Sequence, residues 1–234
     1  MYPIFITFVI FALFTYISMK RSSGSFARER ELFLAREREA NSVRKQPLTD
    51  LNYITISMSA LPQIETDDEY LKERIRTLEV LSEGDNKIVN LSNYTNTELK
   101  LKYGVANLTI LTEYDQNFTN LCRALYEAGN RLYESGDIDN AQAFLEYGIK
   151  CGTDLKLHYT LLADIYEQKL MYKNIVGLIH SAENINSALK TPLIINLKKR
   201  LEGTNYSAED DIAPLEDITT VAPNDETSSE DSTP

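Results

Sequence analysis

The longest apolar run lies at the start of the chain. Residues 2–19 contain no charged side chain and are dominated by Phe, Ile, Leu, Val and Tyr. A helix of this length rises about 27 Å, close to the thickness of the bilayer core. No basic residue precedes the run, and Lys20 and Arg21 follow it directly, which differs from a cleavable signal peptide. We therefore expect an uncleaved transmembrane helix at residues 2–19.

A charged helical pattern follows the apolar run. Residues 25–41 are rich in Arg, Glu, Ala and Leu, and Phe26, Phe33 and Ala40 are spaced by seven. Eight basic and four acidic residues lie between positions 20 and 45, so the positive-inside rule predicts that the rest of the chain is cytoplasmic. We expect a juxtamembrane helix at 20–45. Its charges either attract anionic lipid headgroups or form internal ion pairs on a solvated helix.

The sequence pattern of residues 46–96 predicts a linker with one helix and two short extended segments. The helix begins at residues 66–69, where Thr-Asp-Asp-Glu supplies an N-cap and an acidic first turn, and it carries a periodic apolar face. The extended segments lie near Tyr53 and at residues 87–91, and we expect them to pair.

A long amphipathic pattern begins near Thr97 and continues to Gly136. Its apolar and small positions recur at spacings of three, four or seven: Gly104, Leu108, Leu111, Phe118, Cys122, Leu125, Gly129 and Leu132. This spacing keeps one helix face apolar over most of the pattern. We expect one continuous helix there.

The chain also aligns with itself when it is shifted by 34 positions. The aligned pairs are Leu125 with Tyr159, Ala128 with Leu162, Gly129 with Ala163, Leu132 with Tyr166, Ile138 with Tyr172, Leu145 with Ile179, and Gly148 with Ala182. Such a period, with turns near Gly136 and Leu170, indicates two helix–turn–helix units. A closing helix follows, with Thr191 as its N-cap and Pro192 at its first position.

These positions resemble the tetratricopeptide repeat family over about residues 122–189. The first copy is carried by Ala128, Gly129, Asn130, Leu132, Tyr133, Gly136, Asp137, Ile138, Asp139, Asn140 and Ala141, and the second by Leu162, Ala163, Tyr166, Tyr172 and Ala182. The second copy departs from the family pattern at Leu170, where a turn glycine is usual, and at Ile175, where a small residue is usual. The order of elements also resembles an uncharacterised type of single-span protein of anaerobic Gram-positive bacteria, which implies no activity.

The predicted fold is mainly α, with an N-terminal transmembrane helix, a charged stalk and a small helical-repeat domain of the α–α superhelix type. The predicted segments are a transmembrane helix at 2–19, a juxtamembrane helix at 20–45, a linker at 46–96, a repeat domain at 97–202 and a disordered acidic tail at 203–234. Ten carboxylates and no basic residue lie from Glu202 onward, so most of the net charge of −11 belongs to the tail. No basic stripe with interleaved aromatics marks a nucleic-acid surface.

The sequence suggests no catalytic, cofactor or metal site. Cys122 and Cys151 are far apart in the sequence and form no CxxC or Cys/His cluster, so we interpret them as small buried apolar residues. We interpret His158 and His180 as hydrogen-bonded within the fold or exposed. We find no nucleotide-binding or hydrolase motif, so an enzyme is not predicted.

The resemblance implies that the first helices of the two repeats line a groove for an extended peptide or a partner helix. The groove positions are Arg123, Tyr126, Asn130, Tyr133 and Glu134, followed by Leu157, Thr160, Asp164, Glu167 and Gln168. Only Asn130 fits the pattern of chaperone-binding members, whereas aromatic and acidic positions suit a ligand with apolar anchors and a basic residue.

We therefore predict a membrane-anchored adaptor or scaffold with a protein or peptide partner, whose C-terminal domain is cytoplasmic. Two alternatives remain open. One is a structural subunit of a membrane complex or homo-oligomer that acts through its anchor and stalk. The other is an organelle-surface receptor for targeting peptides.

Overall fold

The computed structural model describes the backbone of residues 2–210 and their side chains except at 2–6 and 16–25. The described part is mainly helical, which confirms the predicted class. The helices are α1 Tyr2–Ser42, α2 Glu69–Ser82, α3 Asn96–Tyr103, α4 Leu108–Glu134, α5 Ile138–Lys150, α6 Lys156–Gln168, α7 Tyr172–Glu183 and α8 Lys190–Lys199, with 3-10 turns at Met58–Ala60 and Val105–Asn107. Two compact units form, one from Met1–Leu48 with Tyr94–Thr109, and the other from Thr49–Asn93 with the described chain from Ile110 on.

Helix α1 covers the backbone of the predicted anchor at 2–19 and of the predicted juxtamembrane helix as far as Ser42, three residues before its predicted end at 45. Half of the predicted anchor at 2–19, namely residues 2–6 and 16–19, lies outside the residues whose side chains are described. Among the residues that were described, none forms a helix with both the length and the apolar content needed to cross a bilayer. The predicted disordered tail lies outside the described residues from 211 on.

In the first unit, the C-terminal part of α1 packs on α3. Ala40 is fully buried, and Glu37 and Lys100 form an ion pair of 2.7 Å in which both side chains are about four-fifths buried. The buried Asn107 amide donates to the carbonyl oxygens of Gln46 and Tyr103, each at 2.7 Å. These contacts fix the end of α1 against the turn that follows α3.

The predicted continuous helix from Thr97 to Gly136 is wrong, because the chain breaks at Gly104. This residue has a φ of +82°, and a Cβ atom there would collide with the carbonyl group of Arg44. The close approach of the Arg44 backbone therefore requires glycine and ends α3. Upstream, Thr95 begins α3 with a capping box in which the Glu98 carboxylate accepts the Thr95 N–H at 2.8 Å.

In the second unit, the predicted helix after the acidic cap is confirmed as α2. The Asp68 carboxylate caps it by accepting the N–H groups of Tyr70 and Leu71. The two extended segments meet at an isolated antiparallel bridge between Tyr53 and Val89, and no two-stranded ribbon forms among the described residues.

The predicted repeat spacing recurs in the helix boundaries. Helices α4 and α6 end at Glu134 and Gln168, and α5 and α7 begin at Ile138 and Tyr172. The turns also repeat their hydrogen bonds, since the Asp137 N–H donates to Leu132 O at 2.9 Å and the Met171 N–H donates to Tyr166 O at 2.7 Å. The two helical hairpins therefore share their turn geometry.

Leu170 adopts the turn conformation that glycine provides in the first hairpin. Gly136 has a φ of +86°, and Leu170, at the equivalent position of the second hairpin, has a φ of +57°. Leu170 is 73% exposed, so packing contributes little to holding it there. The sequence departure at this position therefore does not change the turn, although it introduces backbone strain.

Helix α8 covers the end of the second hairpin, as the sequence predicted for a closing helix. Leu193 and Leu197 are buried where α8 packs on α7 and α6. The helix begins at Lys190, one residue before the predicted N-cap at Thr191. The predicted N-cap at Thr191 is therefore wrong, because Leu189 occupies the N-cap position and makes no side-chain capping bond.

Candidate functional site

Four of the predicted groove residues lie on one face of α4. Arg123, Tyr126, Asn130 and Tyr133 follow one another at intervals of three or four, which places them along a single stripe. Arg123 is exposed and the other three are half-buried. The opposite face of α4 is buried in the core, so the stripe is held by a rigid helix.

A cleft of about 520 Å³ opens beside this stripe, between α2 and α4. Its lining residues are Tyr70, Tyr126, Glu127, Asn130, Arg131 and Glu134. Two of the predicted partner-binding residues, Tyr126 and Asn130, therefore share one concavity with Glu134. The volume lies within the range of protein sites that hold a small ligand or a few side chains of a partner.

The sequence did not indicate three of the lining residues, Glu127, Arg131 and Tyr70, and α2 contributes only Tyr70 among the residues that line the cleft. Tyr70 lies in the first turn of α2, directly before the buried Leu71, and it is 49% exposed. Its place in an apolar helical pattern made it a core candidate, whereas the structure turns it toward α4. The only local signal was its position beside the core face, where a large aromatic side chain remains accessible.

Ion pairs hold α2 against α4 around the cleft. Arg74 Nη1 lies 2.9 Å from Glu127 Oε2, and the Arg131 guanidinium donates to the Asp68 carboxylate. The hydrogen bond from Arg131 holds the pKa of Asp68 below its ordinary value. Asp68 thus both caps α2 and joins it to α4.

The rim of the cleft is acidic at Glu134. Its carboxylate accepts the Asn130 amide at 2.8 Å and lies 3.4 Å from Arg131, yet its side chain remains 53% exposed. Burial raises the pKa of both Tyr70 and Tyr126, and the nearby carboxylates of Glu127 and Glu134 raise it further. The two phenol rings therefore lie in a negative local field.

The acidic groove positions of α6 are paired within the chain. Arg200, which follows α8 and is largely buried, lies 2.6 Å from Asp164 and also pairs with Glu167. Tyr133, another predicted groove residue, accepts a hydrogen bond from Gln168 at 2.6 Å and so links α4 to α6. These three predicted residues join helices together, while Tyr126 and Asn130 line the cleft.

His158 lies beneath Tyr126, with ring centroids 5.6 Å apart. It is fully buried, and neither ring nitrogen has a hydrogen-bond partner in the described part of the chain. A Cβ atom on Gly148 would collide with its ring, so this glycine on α5 makes room for the imidazole. Burial lowers the pKa of His158 to about 3. The prediction of a hydrogen-bonded or exposed histidine is therefore wrong here.

The two cysteines are free and buried, as the sequence predicted. Burial raises the pKa of Cys151 to about 12 and moves the pKa of Cys122 in the same direction. Both thiols are therefore protonated at neutral pH. Among the described residues, no group of three His, Cys, Asp or Glu side chains is arranged to hold a metal ion.

Comparison of the chain with protein-family models, with curated proteins and with solved structures gives no match.

Proposed function

We propose that this protein is an adaptor that binds a peptide segment of a partner protein in the cleft between α2 and α4, and that residues 2–19 hold it at a membrane. The observation that carries the proposal is the cleft itself. It combines two accessible tyrosines with Asn130 and Glu134 on a rigid helical scaffold. Aromatic side chains that lie beside polar groups contribute most of the binding energy in many protein interfaces.

The helical hairpins support a binding role for the α4 wall of the cleft. Repeated hairpins of this kind place their first helices side by side, and in the tetratricopeptide family, which the sequence resembles, those helices form the ligand groove. Here the first helices would be the end of α4 and α6. The α2 helix adds a second wall beside α4 through Arg74 and Asp68.

The membrane part of the proposal rests on the sequence. Residues 2–19 carry no charge, and basic residues exceed acidic ones in the segment that follows. That asymmetry favours a cytoplasmic location for the helical hairpins. An adaptor held in this way would bring its bound partner to the membrane surface.

Selection of displayed random peptides on the full chain in detergent micelles tests the binding role. We expect enriched peptides whose affinity falls at least about tenfold in a Tyr70→Ala and Asn130→Ala double variant, because these side chains line the cleft. Val80→Ala is the control, since Val80 lies on α2 like Tyr70, is 47% exposed and does not line the cleft. Thermal denaturation of each variant shows whether it remains folded.

Two outcomes would contradict the proposal. Either no peptide is enriched over the bare micelle, or the double variant and Val80→Ala bind the enriched peptides equally well.

The homo-oligomer alternative is favoured by a different observation. Phe26 and Phe33 lie two turns apart on α1 and are 69% and 57% exposed. A heptad spacing of large apolar residues is suited to helix association. If the chain acts through this face, Phe33→Glu reduces the mass of the particle measured by light scattering, whereas the cleft variant leaves it unchanged.

A further inference from the structure

We infer that the cleft between α2 and α4 binds a cationic side chain of the partner, with its apolar stem against Tyr70 and Tyr126 and its charged head at Glu134. This inference rests on the proposed function and specifies its ligand. It also places the carboxylate that recognises a basic residue at Glu134, whereas the sequence predicted Asp164 and Glu167 for the acidic part of the groove.

The first argument is that the acidic pair on α6 is already occupied. Arg200 lies between Asp164 and Glu167 and is only 17% exposed. It follows α8, whose apolar residues Leu193 and Leu197 are buried in the core. Asp164 and Glu167 remain 44% and 38% exposed, but they share this buried guanidinium at close range, whereas Glu134 is 53% exposed and lies 3.4 Å from its arginine. Glu134 is therefore the more available carboxylate.

The second argument is the charge around the cleft. In the ion pairs around the cleft, two arginines, 74 and 131, are shared among three carboxylates: Asp68, Glu127 and Glu134. Negative charge is therefore in excess. Arg123 does not correct it at Glu134, because three turns of helix separate them by about 16 Å.

The third argument concerns the unused capacity of Glu134. A carboxylate can accept about four hydrogen bonds. Glu134 accepts two, one from Asn130 at 2.8 Å and a long one of 3.4 Å from Arg131, which also pairs with Asp68. With half of its side chain exposed, it can accept a further charged donor without leaving an existing partner unpaired.

The fourth argument is the mixed chemistry of the walls. Tyrosine rings cover one part of the cleft, and carboxylate and amide groups cover the rest. Arginine and lysine combine an apolar stem with a cationic head, so they fit such a surface better than a purely apolar or an acidic side chain does. A contact of this kind is already present at the wall of the cleft, since the Arg74 guanidinium lies 5.3 Å from the centre of the Tyr70 ring.

Three synthetic peptide pools test the inference on the full chain. They share randomised flanks and differ at one central position, which holds arginine, its neutral isostere citrulline, or glutamate. Binding is measured by mass spectrometry of the retained peptides. We expect roughly tenfold or greater retention of the arginine pool over the citrulline pool, as a charged hydrogen bond at Glu134 implies.

The matched variants are Glu134→Lys and Glu113→Lys. Both residues are exposed on α4, and both substitutions change the net charge equally, so attraction of arginine to the acidic tail affects them alike. We expect Glu134→Lys to abolish the arginine preference and to favour the glutamate pool, whereas Glu113→Lys retains the wild-type preference.

Equal retention of the arginine and citrulline pools would overturn the inference while leaving the proposed peptide site intact. An equal effect of Glu134→Lys and Glu113→Lys would also overturn it, because binding would then follow bulk charge. Retention of none of the pools would overturn both proposals.

Discussion

At the scale of single residues, His158 shows how a glycine on a neighbouring helix sets the environment of a titratable group. Gly148 leaves space for the ring, and the ring lies in that space without a hydrogen-bond partner in the described part of the chain. Transfer of a polar group to such an environment is unfavourable, and transfer of a charged group is more so. The imidazole is therefore held neutral.

This neutrality predicts a stability that depends on pH. The pKa of His158 is about 3 in the folded chain against an ordinary value of 6.5, so below pH 6.5 the unfolded chain takes up a proton that the folded chain does not. The contribution of neutral His158 to the free energy of unfolding is fully present above pH 6.5 and is lost as the pH falls toward 3. Between pH 7.5 and 5.0, we expect wild type to lose roughly 2 kcal/mol more than His158→Leu.

Chemical denaturation of both proteins at the two pH values measures this difference. An identical pH dependence in wild type and His158→Leu would contradict the assignment, whatever the absolute stability of the variant.

Leu170 and Gly136 make a second prediction at this scale. Both have positive φ at equivalent turns, and a side chain at position 136 would meet no atom within 4 Å. We expect Leu170→Gly to raise the free energy of unfolding by about 0.5–1 kcal/mol, because removal of strain exceeds the entropy cost of a new glycine. Gly136→Ala should lower it by roughly 1 kcal/mol, because the added methyl group disfavours positive φ. Two variants that shift stability in the same direction would contradict the shared turn geometry.

At the scale of elements, Gly104 determines where α3 ends. Gly104→Ala would place a methyl group against the Arg44 carbonyl in a backbone conformation that disfavours L-residues. We expect this substitution to lower the free energy of unfolding by roughly 3 kcal/mol, with the effect confined mostly to the first unit.

Hydrogen exchange measures the effect of Gly104→Ala locally. The Gln46 N–H, which donates to Tyr103 O at 3.0 Å, should lose protection, while the Asp137 N–H in the second unit should retain it. Unchanged protection at Gln46 would show that the turn tolerates a side chain.

The elements that the sequence predicted correctly are those with local signals. Asp68 caps the helix that it directly precedes, and the repeat period appears in the helix boundaries. The break at Gly104 was missed because its cause is the carbonyl group of Arg44, which is distant in the sequence. Tyr70 was missed for the same reason, since only the packing of α2 on α4 makes it part of a cleft.

At the scale of the whole molecule, each compact unit is assembled from two separate stretches of chain. Residues 94–109 fold with the end of α1, and the stretch between them belongs to the other unit. Side-chain amides contribute to this assembly over long sequence distances. Asn107 binds Gln46 in the first unit, and in the second Asn117 donates to Lys87 O at 3.0 Å and Asn90 to Gly152 O at 3.2 Å.

These three asparagines begin Asn-x-Ser/Thr triplets, so the same amides that hold the fold have the sequence context of N-linked glycan acceptors. A glycan on Asn107 would replace a proton that the buried amide donates to Gln46 or Tyr103, and the space around it is closed. The fold is therefore incompatible with modification at this position.

Translocation into microsomes tests this consequence in a variant that lacks the other four Asn-x-Ser/Thr triplets of the chain through Ser92→Ala, Asn93→Gln, Thr119→Ala and Asn205→Gln. We expect the chain with Thr109 to be glycosylated at Asn107 and to be digested by protease. The chain with Thr109→Ala cannot be glycosylated there but keeps the Asn107 amide, so we expect it to resist digestion. Equal resistance would mean that residue 107 accommodates a sugar. If only the Thr109→Ala chain resists digestion, the protein reaches its folded state only where oligosaccharyltransferase does not modify Asn107.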